Sequence, residues 1–262
     1  MADWDAAAYE RVSDPQVRWG RRVLERLPLR GDETVLDAGC GTGRVTRLIA
    51  ERVPRGRVIA VDASEAMVEE AGRRLADLAG RVEVRRADLL ELDLGEPVDA
   101  IMSTATFHWI ADHERLFARL AAALSPGGRL VAQCGGRGNV AGALAAAAAA
   151  GAESPFAEHL GAVPRAWYFA GPDDTEARLR TAGFAEARAW LEPSPADFAL
   201  PDGADYLATV VLRCHVALLP EGLRAPFARR VAERLTRADG RVEVDYVRLN
   251  LDARVAGGGP SR

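Results

Sequence analysis

The sequence predicts an α/β fold with a doubly wound, mostly parallel sheet, and three observations carry that expectation. Short apolar runs alternate with segments of helical spacing from residue 15 to residue 134. The run Thr34-Val35-Leu36 leads into three alternating glycines, Gly39, Gly41 and Gly43, and helical spacing (Val45, Leu48, Ile49) comes directly after them. A second apolar run, Arg57 to Val61, ends in Asp62, nineteen positions past the last of those glycines. Strand, glycine turn and helix start form a nucleotide-type cradle, because backbone without Cβ atoms can approach a ligand closely. An acid at the tip of the neighbouring parallel strand lies within reach of a ribose diol.

Each element has its own signal. Residues 15–27 read as a helix with Val17, Val23, Leu24 and Leu27 on one side. Strand one is 33–38, helix A 43–53 and strand two 57–61. Ser64 is a helix N-cap with Glu65 behind it, opening a helix that runs to Leu78. Strand three is 82–86, strand four 98–104, and a helix spans 112–124 with Leu116, Phe117 and Leu120 inward. Pro126-Gly127-Gly128 turns into strand five, 129–134. After Cys134 come a glycine-rich loop, an alanine-rich helix to Gly151, a helix over 173–182 and strand six over 184–191. Two helices over 203–217 and 220–238 and a long closing strand over 242–255 complete the pattern. Three divisions are expected: 1–136 as an N-terminal helix plus cofactor-binding core, 137–256 as helical cap insertions plus the closing strands of the same sheet, and 257–262 as a disordered tail.

The turn's chemistry narrows the ligand. The dinucleotide fingerprint is G-x-G-x-x-G. Here the pattern is G-x-G-x-G, and Arg44 occupies the place of the third dinucleotide glycine. Asp37 precedes the turn. A carboxylate there is a poor neighbour for pyrophosphate and a good one for an ammonium group. S-adenosylmethionine carries an ammonium, a sulfonium and no phosphate, so the charges favour it over a nicotinamide dinucleotide.

On these residues the chain resembles the class I S-adenosylmethionine-dependent methyltransferases. Val35-Leu-Asp-Ala-Gly-Cys-Gly-Thr-Gly43 looks like the first motif of that class, Asp62-Ala63 like its ribose-binding acid, and Ala87-Asp88-Leu89 like its adenine-contacting segment. Ser125-Pro-Gly-Gly-Arg-Leu130 looks like its turn into strand five. Within the class, Phe107-His108-Trp109 and Trp4…Tyr9 look closest to the trans-aconitate and juvenile-hormone-acid methyltransferase type, in the methyltransferase type 11 group. The resemblance implies a Rossmann-like seven-stranded, mostly parallel sheet with an antiparallel last strand and a small helical cap over the strand C-termini. It implies S-adenosyl-L-methionine as cofactor, S-adenosyl-L-homocysteine as product and a small-molecule methyl acceptor. It also implies an N-terminal segment that folds over the cofactor, bringing Tyr9 to it; Trp19 either joins it there or is buried in the core.

Methyl transfer from a sulfonium is an in-line displacement, and the enzyme's main work is to position a nucleophile and exclude water. A base is required only when the acceptor must lose a proton. No Ser/His/Asp spacing and no H-E-x-x-H motif is present, and no metal site is expected. His108, just past strand four, is the catalytic candidate: it could deprotonate a hydroxyl or C–H acid, donate a hydrogen bond to a carboxylate, or merely orient its loop. Trp109 could wall the acceptor pocket, and Ser103 could touch the cofactor or pack in the sheet. Asp88 could accept the adenine amino group or act as a helix cap. Arg137 is a further acceptor-site candidate, Trp167 lines either an apolar acceptor pocket or ordinary cap core, and Asp99 and an exposed His113 are assigned to structure. O-methylation of a carboxylate or hydroxyl is the leading reading; C- or N-methylation in natural-product assembly and a non-catalytic cofactor-binding module are the alternatives.

Composition sets outer limits. The 262 residues carry a net charge of −4, and every basic residue is arginine. No basic block marks a nucleic-acid surface, and no Asn-Pro-Pro-Tyr motif follows strand four. Cys40, Cys134 and Cys214 are far apart and odd in number, so neither a disulfide framework nor a zinc site is expected. The opening Met-Ala-Asp-Trp-Asp lacks an apolar signal region, and no stretch reaches membrane-spanning length. A cytoplasmic monomer or homodimer is expected, without nucleic-acid or membrane partners.

Overall fold

The computed structural model describes residues 14–164 and 167–257. They divide into two compact units. The first comprises the chain up to Gly136, Ala170–Leu191 and the chain from Leu249 onward; the second comprises Arg137–Phe169 and Glu192–Arg248.

In the first unit α1 (Asp14–Arg26) precedes β1 (Thr34–Ala38), α2 (Arg44–Arg52) and β2 (Arg57–Asp62). Then come α3 (Glu65–Arg74), β3 (Val82–Arg86), β4 (Val98–Thr104), α4 (His113–Ala122) and β5 (Leu124–Gly135). The Ser64 hydroxyl accepts from the Met67 N–H at 3.3 Å, as its N-cap reading expects. The predicted helix to Leu78 is interrupted: α3 stops at Arg74, and Ala76–Leu78 form a 3-10 turn.

Later elements alternate between the units. The second unit's α5 (Ala141–Gly151) is followed by α6 (Pro172–Thr181) and β6 (Phe184–Pro193). Next are β7 (Ala196–Phe198), α7 (Leu200–Tyr206), α8 (Arg213–Leu218), α9 (Glu221–Arg234), β8 (Val242–Val244) and β9 (Val247–Val255).

Seven strands form one sheet in the order β3-β2-β1-β4-β5-β9-β6, with β9 antiparallel, as the resemblance implied. The β1–β2, β1–β4, β2–β3 and β4–β5 pairs are parallel. Chain order runs outward from β1 to β3, then returns to β4 on the other side of β1. That reversal is the topological switch point, and the crevice at its carboxyl end is where ligands bind in open α/β sheets. Val35, Leu36, Val58, Ile59, Ala60, Ile101 and Met102 are buried, matching the continuous apolar runs of strands covered on both faces. Val23, Leu24 and Leu27 of α1 pack with Ile49 and Ala50 of α2 and with Val35, Val58 and Val131 of the sheet in one cluster. Full burial of each such aliphatic side chain contributes about 1.5–3 kcal/mol. Asp99, on β4, accepts the Thr34 N–H at 2.8 Å, a structural tie between neighbouring strands.

Three further boundaries differ from the sequence reading. β5 begins at Leu124 rather than 129, because Leu124 pairs with Val98 before an irregularity; pairing resumes with Arg129 opposite Ala100. The predicted closing strand splits: β8 pairs with β7 in a separate antiparallel ribbon, and only β9 joins the main sheet. The break falls at Asp245, whose carboxylate accepts the Gly142 and Ala143 N–H groups at 2.7 and 3.2 Å and so caps α5. The predicted 203–217 helix is three pieces, with a π-turn at Leu207–Val211 between α7 and α8.

Gly56, between α2 and β2, lets that connection lie close against the chain entering β1. A Cβ there would lie 2.1 Å from the Glu33 carbonyl oxygen, which accepts the Arg57 N–H. Gly56→Ala is expected to lower the urea-unfolding free energy by about 1–3 kcal/mol, with a correspondingly earlier midpoint.

Candidate cofactor and acceptor site

The glycine turn is fastened to the end of β2 by its own backbone. The Gly39 and Cys40 N–H groups both donate to the Val61 carbonyl at 2.9 Å. The Gly41 N–H donates to Asp62 Oδ2 at 2.9 Å, and the Ser64 N–H donates to Asp62 Oδ1 at 2.9 Å. All three glycines have positive φ, but they answer different needs. A Cβ at Gly39 would collide with Thr106 Oγ1 at 2.1 Å, whereas one at Gly41 would meet nothing within 4 Å. Gly39 is small so that the β4 loop can close on it; Gly41 leaves space above the turn for a ligand. Gly43 caps α2 in a left-handed conformation with no side-chain hydrogen bond, leaving that duty open at the helix N-terminus.

Three carboxylates stand at the ends of three adjacent strands. Asp37 on β1 is buried and accepts the Thr46 hydroxyl at 2.7 Å. Burial drives its pKa up to about 7; the Asp62 charge adds to the rise, and the Thr46 hydrogen bond opposes it. Asp62, half-buried, is held by its two backbone donors. Asp88 accepts the Leu90 N–H at 2.9 Å and caps the 3-10 turn Leu89–Glu91. The Ala87 N–H donates to the Asp62 carbonyl at 3.0 Å, so the adenine-segment candidates are tied to the ribose-acid candidate. Ala63 follows Asp62, and its carbonyl accepts from Arg86 Nε at 3.3 Å; Leu89 is buried. An open cradle at Gly41 beside carboxylates suits a nucleoside that carries a diol and a positive charge.

The β4 side of the switch point is equally tied. Ser103 Oγ is buried and donates to the Ala38 carbonyl at 2.6 Å. Thr106, which the sequence reading did not single out, donates toward the Thr104 carbonyl at 3.0 Å and the Gly39 carbonyl at 3.3 Å. Between Thr104 and Thr106, Ala105 has φ +56°, a left-handed conformation rare for a residue with a Cβ and concentrated at functional turns. The 3-10 turn Phe107–Trp109 comes next. His108 is buried there, 5.3 Å from the Trp109 ring, and its Nδ1 accepts the Gly135 N–H at 3.2 Å. A neutral imidazole with Nδ1 occupied as acceptor carries its proton on Nε2.

His113 departs from the sequence reading. An exposed side chain is expected there, yet it is only 2% exposed, and its Nε2 lies 3.0 Å from the Phe107 carbonyl. Burial holds its pKa below the usual histidine value, so a neutral ring donates from Nε2 and anchors the turn that carries His108. Phe117 packs against both Phe107 and His113, at 6.0 and 5.3 Å between ring centroids. The signal is present in the sequence: His113 lies three and four residues before Leu116 and Phe117, on the inward stripe of α4.

Four further candidates remain. Trp19 is buried on α1, and Tyr9 lies outside the described residues. Arg137 and Trp167 belong to the second unit, where Trp167 stacks on Phe169 at 5.6 Å between centroids. Among the described residues no group of His, Cys, Asp and Glu is arranged to hold a metal, and no helix is long and apolar enough to cross a membrane.

Comparison with known proteins agrees with this geometry. A family described as "Methyltransferase domain" matches residues 35–128. A trans-aconitate 2-methyltransferase of Methylobacterium nodulans is 35% identical over 191 residues, covering 73% of this chain and 68% of that protein. The chain belongs to the class I S-adenosylmethionine-dependent methyltransferases.

Two further relatives of the same name, from Variovorax paradoxus and Paracidovorax citrulli, are 38% and 39% identical. Those matches cover 63% and 51% of this methyltransferase; it spans 62% of the first relative's length and about half of the second's. Among solved structures, phosphoethanolamine N-methyltransferase 2 of Haemonchus contortus matches 97% of this chain and 57% of its own, with a TM-score of 0.62 at 20% identity. The Bacillus subtilis YcgJ protein matches 92% and 99%, with a TM-score of 0.64 at 15% identity. Both share the fold of this methyltransferase. The cofactor of the class is S-adenosylmethionine, and the open glycine turn with its flanking carboxylates fits it.

Asp37 gives a pH-dependent test. Its folded-state pKa of about 7 stands above the ordinary 3.8, so the neutral carboxyl's stabilising contribution is complete below the unfolded value and is lost as pH rises through the folded one. Asp37→Asn removes the charge while keeping an acceptor for Thr46. In the ligand-free protein the variant's unfolding free energy is expected to gain on the parent's between pH 4 and pH 7 and to hold that advantage above, with an upper bound of about 4 kcal/mol. A constant difference across that range would contradict the assignment.

Proposed function

We propose that this methyltransferase transfers the methyl group of S-adenosylmethionine to a carboxylate oxygen of a small molecule, forming a methyl ester. The observation that carries the reading is the hydrogen bond from the Gly135 N–H to His108 Nδ1. It leaves Nε2–H as the ring's donor, which suits a carboxylate and does not suit removal of a proton at that nitrogen. The relatives named trans-aconitate 2-methyltransferase support the same class of acceptor. The cofactor, when bound, supplies an electrophilic methyl on a sulfonium: a new C–O bond forms, the S–C bond breaks, and a neutral thioether leaves.

The chain's own residues then have limited tasks. Asp62, fixed by Gly41 and Ser64, takes the ribose diol; Asp37, ionising as a cation arrives, takes the ammonium group. Ala87, Asp88 and Leu89 take the adenine, and the Gly41 cradle admits the methionine portion. Tyr9 and Trp19 stay our candidates for covering the cofactor, as Arg137, Trp109 and Trp167 do for the acceptor. Ser103 holds the strand ends at which these groups meet. His108 donates to the carboxylate and orients one oxygen toward the methyl; no base is needed because no proton leaves. We place the enzyme in the cytoplasm, as a monomer or homodimer acting without nucleic-acid or membrane partners.

A methyl-transfer assay over mono-, di- and tricarboxylates, trans-aconitate included, tests the reading. Base-labile methyl ester is the expected product. His108→Gln, which keeps one donor and one acceptor, is expected to retain most of kcat. His108→Ala is expected to lose roughly ten- to hundredfold in kcat/KM, mostly through KM, the scale of a hydrogen bond to a charged group. Equal collapse of kcat in both variants, roughly 10²- to 10⁴-fold as for a lost general base, would overturn it.

A further inference from the structure

One face of the first unit's sheet gathers positive charge that the cofactor site does not use. Arg129 on β5, Arg254 on β9 and Arg188 on β6 come from three neighbouring strands and line an open cleft of about 460 Å³. Arg26 of α1 and Arg180 of α6 complete the set. Only two carboxylates, Glu186 and Asp252, share the lining, a formal excess of three positive charges. The cleft is distinct from the cofactor cradle. Arg129 stands in register with Ala100, and Ala100 with Val35 near the start of β1, while the glycine turn leaves the other end of β1.

The arginines are not equally committed. Arg26 is consumed by the fold: it donates to Asp252 at 3.1 Å, to Asn250 at 2.8 Å and to the Ala132 carbonyl at 3.0 Å. Arg180 pairs with Glu176 at 2.7 Å, and Arg254 Nε donates to the Gly127 carbonyl, which leaves its charge uncancelled. Arg129 and Arg188 are exposed, and among the described residues neither has a carboxylate at ion-pair distance. The guanidinium of Arg188 lies 5.0 Å from the centroid of the Trp190 ring, and that of Arg26 lies 5.1 Å from it. Stacking of this kind pre-orients a guanidinium with its N–H fork outward, the geometry that takes carboxylate or phosphate bidentately. Like charges facing one another across neighbouring strands are unfavourable, and an anion in the cleft relieves that repulsion.

We propose that this cleft binds a small oxyanion carrying at least two negative charges, a di- or tricarboxylate or a phosphate, independently of the methyl acceptor. Calorimetric titration of the intact protein at low ionic strength with citrate and with inorganic phosphate tests it, acetate at matched ionic strength being the control. Saturable 1:1 binding is expected, and the tighter of the two probes identifies which source of oxyanion the cleft prefers. In Arg129→Gln/Arg188→Gln that binding is expected to weaken at least about tenfold, with affinity for S-adenosylhomocysteine unchanged. Arg129→Gln alone serves the same purpose if the double variant folds poorly. No saturable binding of either probe, equal heats from acetate, or binding that survives the substitutions would overturn the proposal.

Discussion

The site depends on the clasp between the glycine turn and the end of β2. Gly39 and Cys40 share the Val61 carbonyl, and Gly41 donates to the Asp62 side chain. A turn with three positive-φ glycines has little intrinsic preference for one shape, because glycine loses more backbone freedom on folding than any other residue. These bonds, from adjacent residues to adjacent acceptors, select the shape. They also make the Asp62 carboxylate the anchor of the cradle, through the Gly41 and Ser64 N–H groups. The parallel register of β1 with β2, Ala38 opposite Val61, brings donors and acceptors level.

The β4 side obeys a related logic. Ser103 fastens β4 to the last residue of β1, and Thr106 occupies the volume that a Cβ on Gly39 would need. The loop then passes through the left-handed Ala105 and delivers His108, its Nδ1 met by the Gly135 backbone at the end of β5. His113 holds the same short turn from α4 through the Phe107 carbonyl. Two neutral histidines on one short stretch of chain thus do different work. His108 presents a donor at the switch point, and His113 fixes the backbone that carries it. A rigidly placed donor suits the in-line displacement on a carboxylate proposed above, whose gain comes from orientation rather than from proton transfer.

Much of this was legible in the sequence, and the reasons are specific. β1 to β4 and their intervening helices result from local hydrophobic period and turn chemistry, and Ser64 caps its helix as that chemistry dictates. The motif residues before and in the turn meet Asp62 because β1 ends level with β2, Ala38 opposite Val61. What the sequence hid depends on distant partners. The split between β8 and β9 exists because Asp245 is drawn to the N–H groups of Gly142 and Ala143, 103 and 102 positions away. The tautomer of His108 depends on Gly135, and the tie between α1 and β9 depends on Arg26 meeting Asn250 and Asp252. Local periodicity carries no trace of such pairs. Asp37's raised pKa is likewise a matter of burial that the motif alone does not reveal.

We propose that the Asp62-clasped glycine turn holds the nucleoside of S-adenosylmethionine. The most direct test is calorimetric titration with S-adenosylhomocysteine of the parent protein and of Asp62→Ala, with NAD as the control ligand and circular dichroism to confirm that both proteins are folded. Saturable binding by the parent, none for NAD, and loss of binding in Asp62→Ala are expected. Folded parent protein that does not bind, or a variant that binds as tightly as the parent, would contradict it.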